Sequence, residues 1–189
     1  MPKLSSGICV YLGNQFFTIS CFVFIFLYIC SKVTIFFNMQ ALNLPKTELK
    51  VISKDGKQQV FDILRRRFVV LTPEEWVRQQ FVHFLIRHKG YPAECIGNEV
   101  SITLGATKKR CDTVIYGSHA EPLMVIEYKS PNVEITQKVF EQICRYNIKM
   151  KVKWLVVSNG LQHYCTRIDY KNGTYQFVED IPAFTSIAF

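Results

Sequence analysis

The sequence predicts an α/β protein: a mixed four-stranded sheet flanked by helices, with an extra C-terminal β-hairpin. Three observations predict it. A capped, amphipathic helix reads over 73–89, and three strand-like runs follow at 98–104, 111–116 and 123–129. A second helical stretch at 134–150 then leads to a buried strand at 153–160. Three strands joined by hairpin-type links meander antiparallel, whereas a strand reached through a crossover helix returns parallel, so the sheet is mixed.

Length and charge bound the rest. The 189 residues suffice for one domain with a substantial core. The formal charge of +8 favours a polyanionic partner. Cys9, Cys21, Cys30, Cys95, Cys111, Cys144 and Cys165 form no CxxC pair, which argues against a zinc site and a disulfide framework and for reduced thiols in the cytoplasm.

Residues 1–38 read differently from residues 39–189. From Leu4 to Ser31 no residue is charged, and "FFTISCFVFIFLYIC" at 16–30 is strongly apolar. By length it is a transmembrane candidate. The abrupt change to "MQALNLPK" at Met39 favours a mis-assigned start, with upstream composition typical of translated AT-rich noncoding DNA. A membrane anchor is the alternative, and it requires that residues 1–38 be translated. Without Lys3 and Lys32 the body holds 21 basic against 15 acidic residues, a charge of +6.

Along the body, "ELKVISKDGKQQVFD" suggests a short hairpin turning at Asp55-Gly56. Arg65-Arg66-Arg67 reads as a solvated face, with phosphate contact as the alternative. Thr72 is an N-cap with Glu75 three residues on, a capping box, and Pro73 takes the first helical position. Val77, Phe81, Phe84 and Leu85 recur at helical spacing, and Gly90 and Pro92 stop the helix. In the second helix Val139, Ile143 and Tyr146 share a stripe. Asn172-Gly173 marks the tight turn of the C-terminal hairpin, and this reading outweighs the glycosylation sequon at the same place.

"LMVIEYKSP" at 123–131 holds the chemistry. Glu127 and Lys129 lie inside an otherwise apolar run, and strand alternation points both to one face. Asp112 belongs to the preceding strand, so an antiparallel pairing brings it to the same end of the sheet. Two carboxylates converging there repel unless a cation joins them. Hard oxygen ligands suit Mg²⁺, which keeps several waters and accepts phosphate oxygens. An ExK pair alone is equally an ordinary ion pair on an exposed strand.

The wider pattern resembles the PD-(D/E)xK nucleases. Asp112, fourteen residues, then Glu127-Tyr128-Lys129 matches the motif, with Cys111 where the family has proline. "QICRY" places Gln142 and Tyr146 as the QxxxY element of one branch, which includes the N-terminal nuclease domain of type I restriction enzyme R subunits. "TPEEWVRQ" and "VVSNG" look like flanking signatures of that domain, and the likeness covers roughly residues 60–170.

The resemblance implies a restriction-endonuclease-like core and Mg²⁺-dependent hydrolysis of DNA phosphodiesters, with Mn²⁺ able to substitute. Asp112 and Glu127 would hold the metal, and Lys129 would position the attacking water. Gln142 and Tyr146 would contact substrate or support Lys129. Glu74, in the inward stripe of the first helix, is the preferred extra site residue over Glu75, whose side chain the capping box would occupy. Glu99 reads as an exposed strand residue. Lys108-Lys109-Arg110 stands where it could touch phosphates.

No GxxxxGK[ST] occurs, so the chain carries no P-loop motor of its own, and other restriction-system subunits are the implied partners besides DNA. His83, His88, His119 and His163 have no metal-ligand spacing. Two rival classes stand beside the nuclease. One is a non-catalytic nucleic-acid-binding module on the same fold, and the other is a membrane-anchored accessory protein.

Overall fold

The computed structural model describes residues 9–12, 15–18, 39–104, 107–148 and 151–188. The side chains at 9–12, 15–18, 102–104, 107–109, 142 and 145–148 fall outside that description. The chain divides into two units, Met1–Gln40 and Ala41–Phe189. In the first, β1 (Cys9–Leu12) and β2 (Gln15–Thr18) pair antiparallel. Most of the apolar run at 16–30, with the transmembrane expectation attached to it, lies outside the described residues. Among the described residues no helix is long and apolar enough to cross a membrane.

The second unit opens with a three-stranded antiparallel sheet of β3 (Val51–Lys54), β4 (Lys57–Asp62) and β5 (Arg67–Val70). Asp55 and Gly56, at φ +52° and +71°, make the left-handed turn that closes its first hairpin. The third strand, β5, was not legible behind the arginine run.

Helix α1 (Pro73–His88) starts as expected: Thr72 is extended, and its Oγ1 accepts the Glu75 N–H at 3.0 Å. The reciprocal half of the capping box is not used. The Glu75 carboxylate turns inward to Arg65 and Arg78, because two guanidinium partners offer more than one backbone N–H. Val77, Phe81 and Leu85 are fully buried, and Phe84 packs at the core's margin. The helix is covered on its polar side too. Gln79 donates to Asp62 of β4 at 2.8 Å, and Gln80 donates to the Thr47 carbonyl at 3.1 Å.

The main sheet follows: β6 (Ile96–Leu104), β7 (Thr107–Tyr116), β8 (Pro122–Tyr128), helix α2 (Gln137–Ile148), β9 (Trp154–Ser158), β10 (His163–Asp169) and β11 (Thr174–Val178). Its strand order is β11-β10-β9-β8-β7-β6. All neighbours are antiparallel except β8 and β9, which the α2 crossover makes parallel. The expectation of four strands plus a separate hairpin is therefore corrected to one six-stranded sheet. β10 pairs with β9 from His163↔Ser158 to Arg167↔Trp154 and carries β11 with it. A strand's own alternation shows which face it buries, not which edge it joins.

The sheet separates two apolar cores. Met124, Ile126 and Tyr128 of β8 join Val77, Phe81 and Leu85 of α1 on one side. Val125 joins Phe140 and Ile143 of α2 on the other, with Leu155 and Val157 of β9. β8 is thus buried on both faces as far as Ile126. Its charged residues come only after that.

Candidate active site

The β7–β8 ladder runs from Tyr116↔Pro122 to Thr113↔Ile126 and stops. One residue further on, the Asp112 side chain takes over. Its Oδ2 accepts the Tyr128 backbone N–H at 2.9 Å. That nitrogen belongs to the peptide joining Glu127 to Tyr128, so the Asp112 carboxylate lies against the Glu127-Tyr128-Lys129 segment. Glu127 is half-buried and pairs through its backbone with Val157 of β9. Lys129 is also half-buried, and its N–H donates to the Ser158 carbonyl at 2.9 Å, extending the β8–β9 register past the strand end. Alternation along β8 sets Glu127 and Lys129 on the Val125 face, the side where α2 packs.

Glu74, in the first turn of α1, keeps its side chain 44% exposed, 3.7 Å from the Arg78 Nη2. Burial and the Asp112 charge hold its carboxyl above the ordinary range, while Lys129 and Arg78 pull the other way. Glu74, Asp112 and Lys129 therefore share one electrostatic neighbourhood. Gln142 and Tyr146 stand one turn apart on α2, with side chains outside the described residues.

The centre of this neighbourhood is Arg78, one helical turn on from Glu74, a residue whose role the sequence does not disclose. Arg78 is 4% exposed. Its Nη1 donates to Glu75 Oε2 at 2.5 Å and to Glu99 Oε1 at 3.3 Å, and its Nη2 donates to Asp112 Oδ1 at 2.9 Å. Its guanidinium carbon lies 5.7 Å from the centre of the Tyr128 ring. Arg65, expected on a solvated face, is instead 15% exposed and bonds Asp62 at 2.6 Å, Glu75 at 2.7 Å and Glu99 at 2.9 Å. Glu99 is not a bystander either. It sits at φ +55° between Asn98↔Thr113 and Val100↔Cys111, opposite Asp112, and pairs with Arg65, Arg78 and Arg110. A buried charge in contact with opposite charges is tolerated where a lone one is not.

A family model described as type I restriction enzyme R protein N terminus matches residues 73–182. The chain belongs to this family. Among solved structures, a fragment described as an HsdR subunit of a type I restriction enzyme from Vibrio vulnificus YJ016 is similar to it. The identity is 19% and the TM-score 0.45, over 62% of this chain and 24% of that one. The chain thus spans about a quarter of the length of that solved chain. None of the curated proteins matches it.

In this R protein N-terminal domain, Glu74, Arg78, Glu99, Asp112, Glu127, Lys129, Gln142 and Tyr146 all fall within the matched region, whereas Asp62 and Arg65 precede it. The donor set fits a hard divalent cation. Each Asp112 oxygen accepts one hydrogen bond and retains a second lone-pair direction. Glu74 is unsettled by the Asp112 charge, as a carboxylate beside another carboxylate is. Among the described residues no three His, Cys, Asp or Glu side chains converge tightly on one point. Two or so carboxylates with the remaining positions left to water is the mode that suits Mg²⁺.

In sequence Arg65 and Glu99 read as exposed and Arg78 carries no role, since charged residues three or four apart on a helix or next to a strand read as surface pairs. One signal was available. A polar run, Arg78-Gln79-Gln80, interrupts α1 midway between apolar residues that bury its other face.

Proposed function

We propose that this chain is a Mg²⁺-dependent DNA phosphodiester hydrolase, an R-protein nuclease domain spanning residues 39–189 that works with other restriction-system subunits in the cytoplasm. The observation that carries the reading is the Asp112 carboxylate bonded to the Tyr128 N–H at 2.9 Å, which ties the aspartate of one strand to the Glu127-Lys129 segment of the next.

Asp112 and Glu127 hold the metal, and Glu74 adds charge at the edge. Mn²⁺ substitutes for Mg²⁺ because it accepts the same oxygen donors. When bound, the ion supplies Lewis acidity and an acidified water. Lys129 orients the attacking water and offsets charge developing on the phosphate. Gln142 and Tyr146, one turn apart on α2, contact the substrate or support Lys129. Arg110, 61% exposed at the strand leading into Asp112, and its neighbours Lys108 and Lys109 guide the phosphate backbone.

The test is plasmid cleavage by the wild type and by Lys129→Ala, with Mg²⁺, Mn²⁺ or EDTA. Metal-dependent cutting that the substitution abolishes is the expected result. Salt-sensitive DNA binding without cutting in any divalent metal would instead identify a binding module.

A further inference from the structure

One guanidinium stands among four carboxylates. Arg78 lies within 2.5 Å of Glu75, 2.9 Å of Asp112, 3.3 Å of Glu99 and 3.7 Å of Glu74. Glu99 and Asp112 fall in the gap of the β6–β7 register between Asn98↔Thr113 and Val100↔Cys111, and both carboxylates reach the same guanidinium, a crowding that like charges disfavour. Arg78 reaches from α1 to both of them and neutralises the pair.

The network is not symmetric. Glu75 is also held by Arg65 at 2.7 Å and by Gln79 at 2.8 Å. Glu99 is also held by Arg65 at 2.9 Å and by Arg110. Among the described side chains, no other arginine or lysine ion-pairs directly with Asp112. Removing the Arg78 charge therefore leaves Glu75 and Glu99 compensated and strips the direct counter-charge from Asp112. We propose that Arg78 is the resident counter-cation of this site, a positioning residue that competes with the divalent ion for Asp112 and so sets how tightly that ion is held. The proposal rests on the metal-dependent reading above.

The consequence has a definite sign. A fixed positive charge beside a bound dication repels it, and the buried setting leaves that repulsion poorly screened. Arg78 holds the Asp112 carboxylate in place before metal arrives, and lowers the affinity once it does.

The experiment is Mn²⁺ binding to the full chain, followed by the electron paramagnetic resonance signal of free Mn²⁺. It compares wild type, Arg78→Gln, Arg78→Lys and Asp112→Asn, each checked for cooperative thermal unfolding. Arg78→Gln should bind Mn²⁺ about tenfold more tightly, the effect of one close like charge at reduced screening. Cleavage by that variant should reach half its maximum at lower metal concentration without a higher maximum. A merely structural role would move both the other way. Arg78→Lys should tighten binding less, since an ammonium cannot bridge Asp112 and Glu99 at once. It also serves if the glutamine variant does not fold. Unchanged or weaker binding in the folded variants overturns the assignment. If wild type binds and Asp112→Asn does not while the Arg78 variants match wild type, only the role of Arg78 falls. If wild type binds no Mn²⁺, the metal-dependent reading falls with it. Failure of both Arg78 variants to fold makes Arg78 a residue of the fold and overturns its role as a tuning charge.

Discussion

Asp112 accepts the Tyr128 N–H at 2.9 Å, so a side chain closes the seam where the β7–β8 ladder ends. The same carboxylate serves the fold and the proposed chemistry, and two substitutions separate the roles. Asp112→Asn keeps an acceptor for the Tyr128 N–H, whereas Asp112→Ala leaves that donor and Arg78 without it. Both should lose metal-dependent cleavage by about 100-fold or more, the scale of removing a group that acts at the reacting centre. Urea unfolding should show the alanine variant less stable than wild type by about 1–3 kcal/mol, the cost of stranding buried polar groups, and the asparagine variant less affected. Equal stability losses would mean that the Tyr128 contact contributes nothing to the seam.

Asp62 carries a pH prediction. It is fully buried, and burial alone would raise its pKa. The backbone and side-chain bonds from Arg65, its charge, and the Gln79 amide outweigh that and hold the carboxyl below its usual value of 3.8. A depressed native pKa means that the stability Asp62 contributes is complete above the unfolded value and drains away as pH falls through the native one. Urea unfolding between pH 7 and pH 3 should therefore show a loss below about pH 4 that is smaller in Asp62→Asn. Parallel pH profiles would show that the Arg65 contacts do not lower the native pKa.

The contrast between these aspartates bears on what the sequence made legible. Asp112 stood out because fourteen residues separate it from Glu127-Tyr128-Lys129, a linear pattern. Asp62 ends a short strand, bonds Arg65 three residues on, and meets Gln79 and Asn98 only in three dimensions. Helix α1 was readable because Thr72 and Pro73 mark its start locally. Arg65 departs from its expectation for the opposite reason: Arg66 and Arg67 are exposed as a run of three arginines suggests, whereas Glu75 of α1 and Glu99 of β6 close over Arg65. The sixfold sheet was underread as four strands because nothing in the alternation of β10 states that it pairs with β9. Charge networks and strand partners are properties of tertiary contact, and one sequence shows only the residues that will enter them.

Gly160 gives a stability test away from the site. It turns the chain between β9 and β10 at φ +83°, and a Cβ there would lie 2.6 Å from the Leu42 Cδ2. Gly160→Ala should cost about 1–2 kcal/mol for the left-handed backbone, plus the clash. Adding Leu42→Ala should recover only the clash part, because no side chain elsewhere relieves the backbone. A double-mutant cycle by thermal unfolding measures the split. Full recovery would mean that the backbone at Gly160 can relax.

Lys129 offers the cleanest separation of metal binding from chemistry. Its backbone is fixed by the Ser158 carbonyl at 2.9 Å, so truncating the side chain leaves the strand end in place. The Lys129 charge draws the Glu74 carboxyl downward, against burial and the Asp112 charge. As a like charge to the ion it does not help hold metal. In the proposed mechanism it acts as a donor to the attacking water and the phosphate and so contributes to the rate. Lys129→Met should therefore bind Mn²⁺ at least as tightly as wild type while losing about 100-fold or more in cleavage at saturating metal. Glu74→Gln should do the reverse: the metal concentration at half-maximal cleavage rises by about tenfold, with the maximal rate nearly kept, because an edge carboxylate contributes charge rather than chemistry. Measuring half-saturation and maximal rate for both variants decides the assignment. If Lys129→Met instead weakens metal binding and keeps the maximal rate, the lysine is part of the structural frame and the water-positioning role fails.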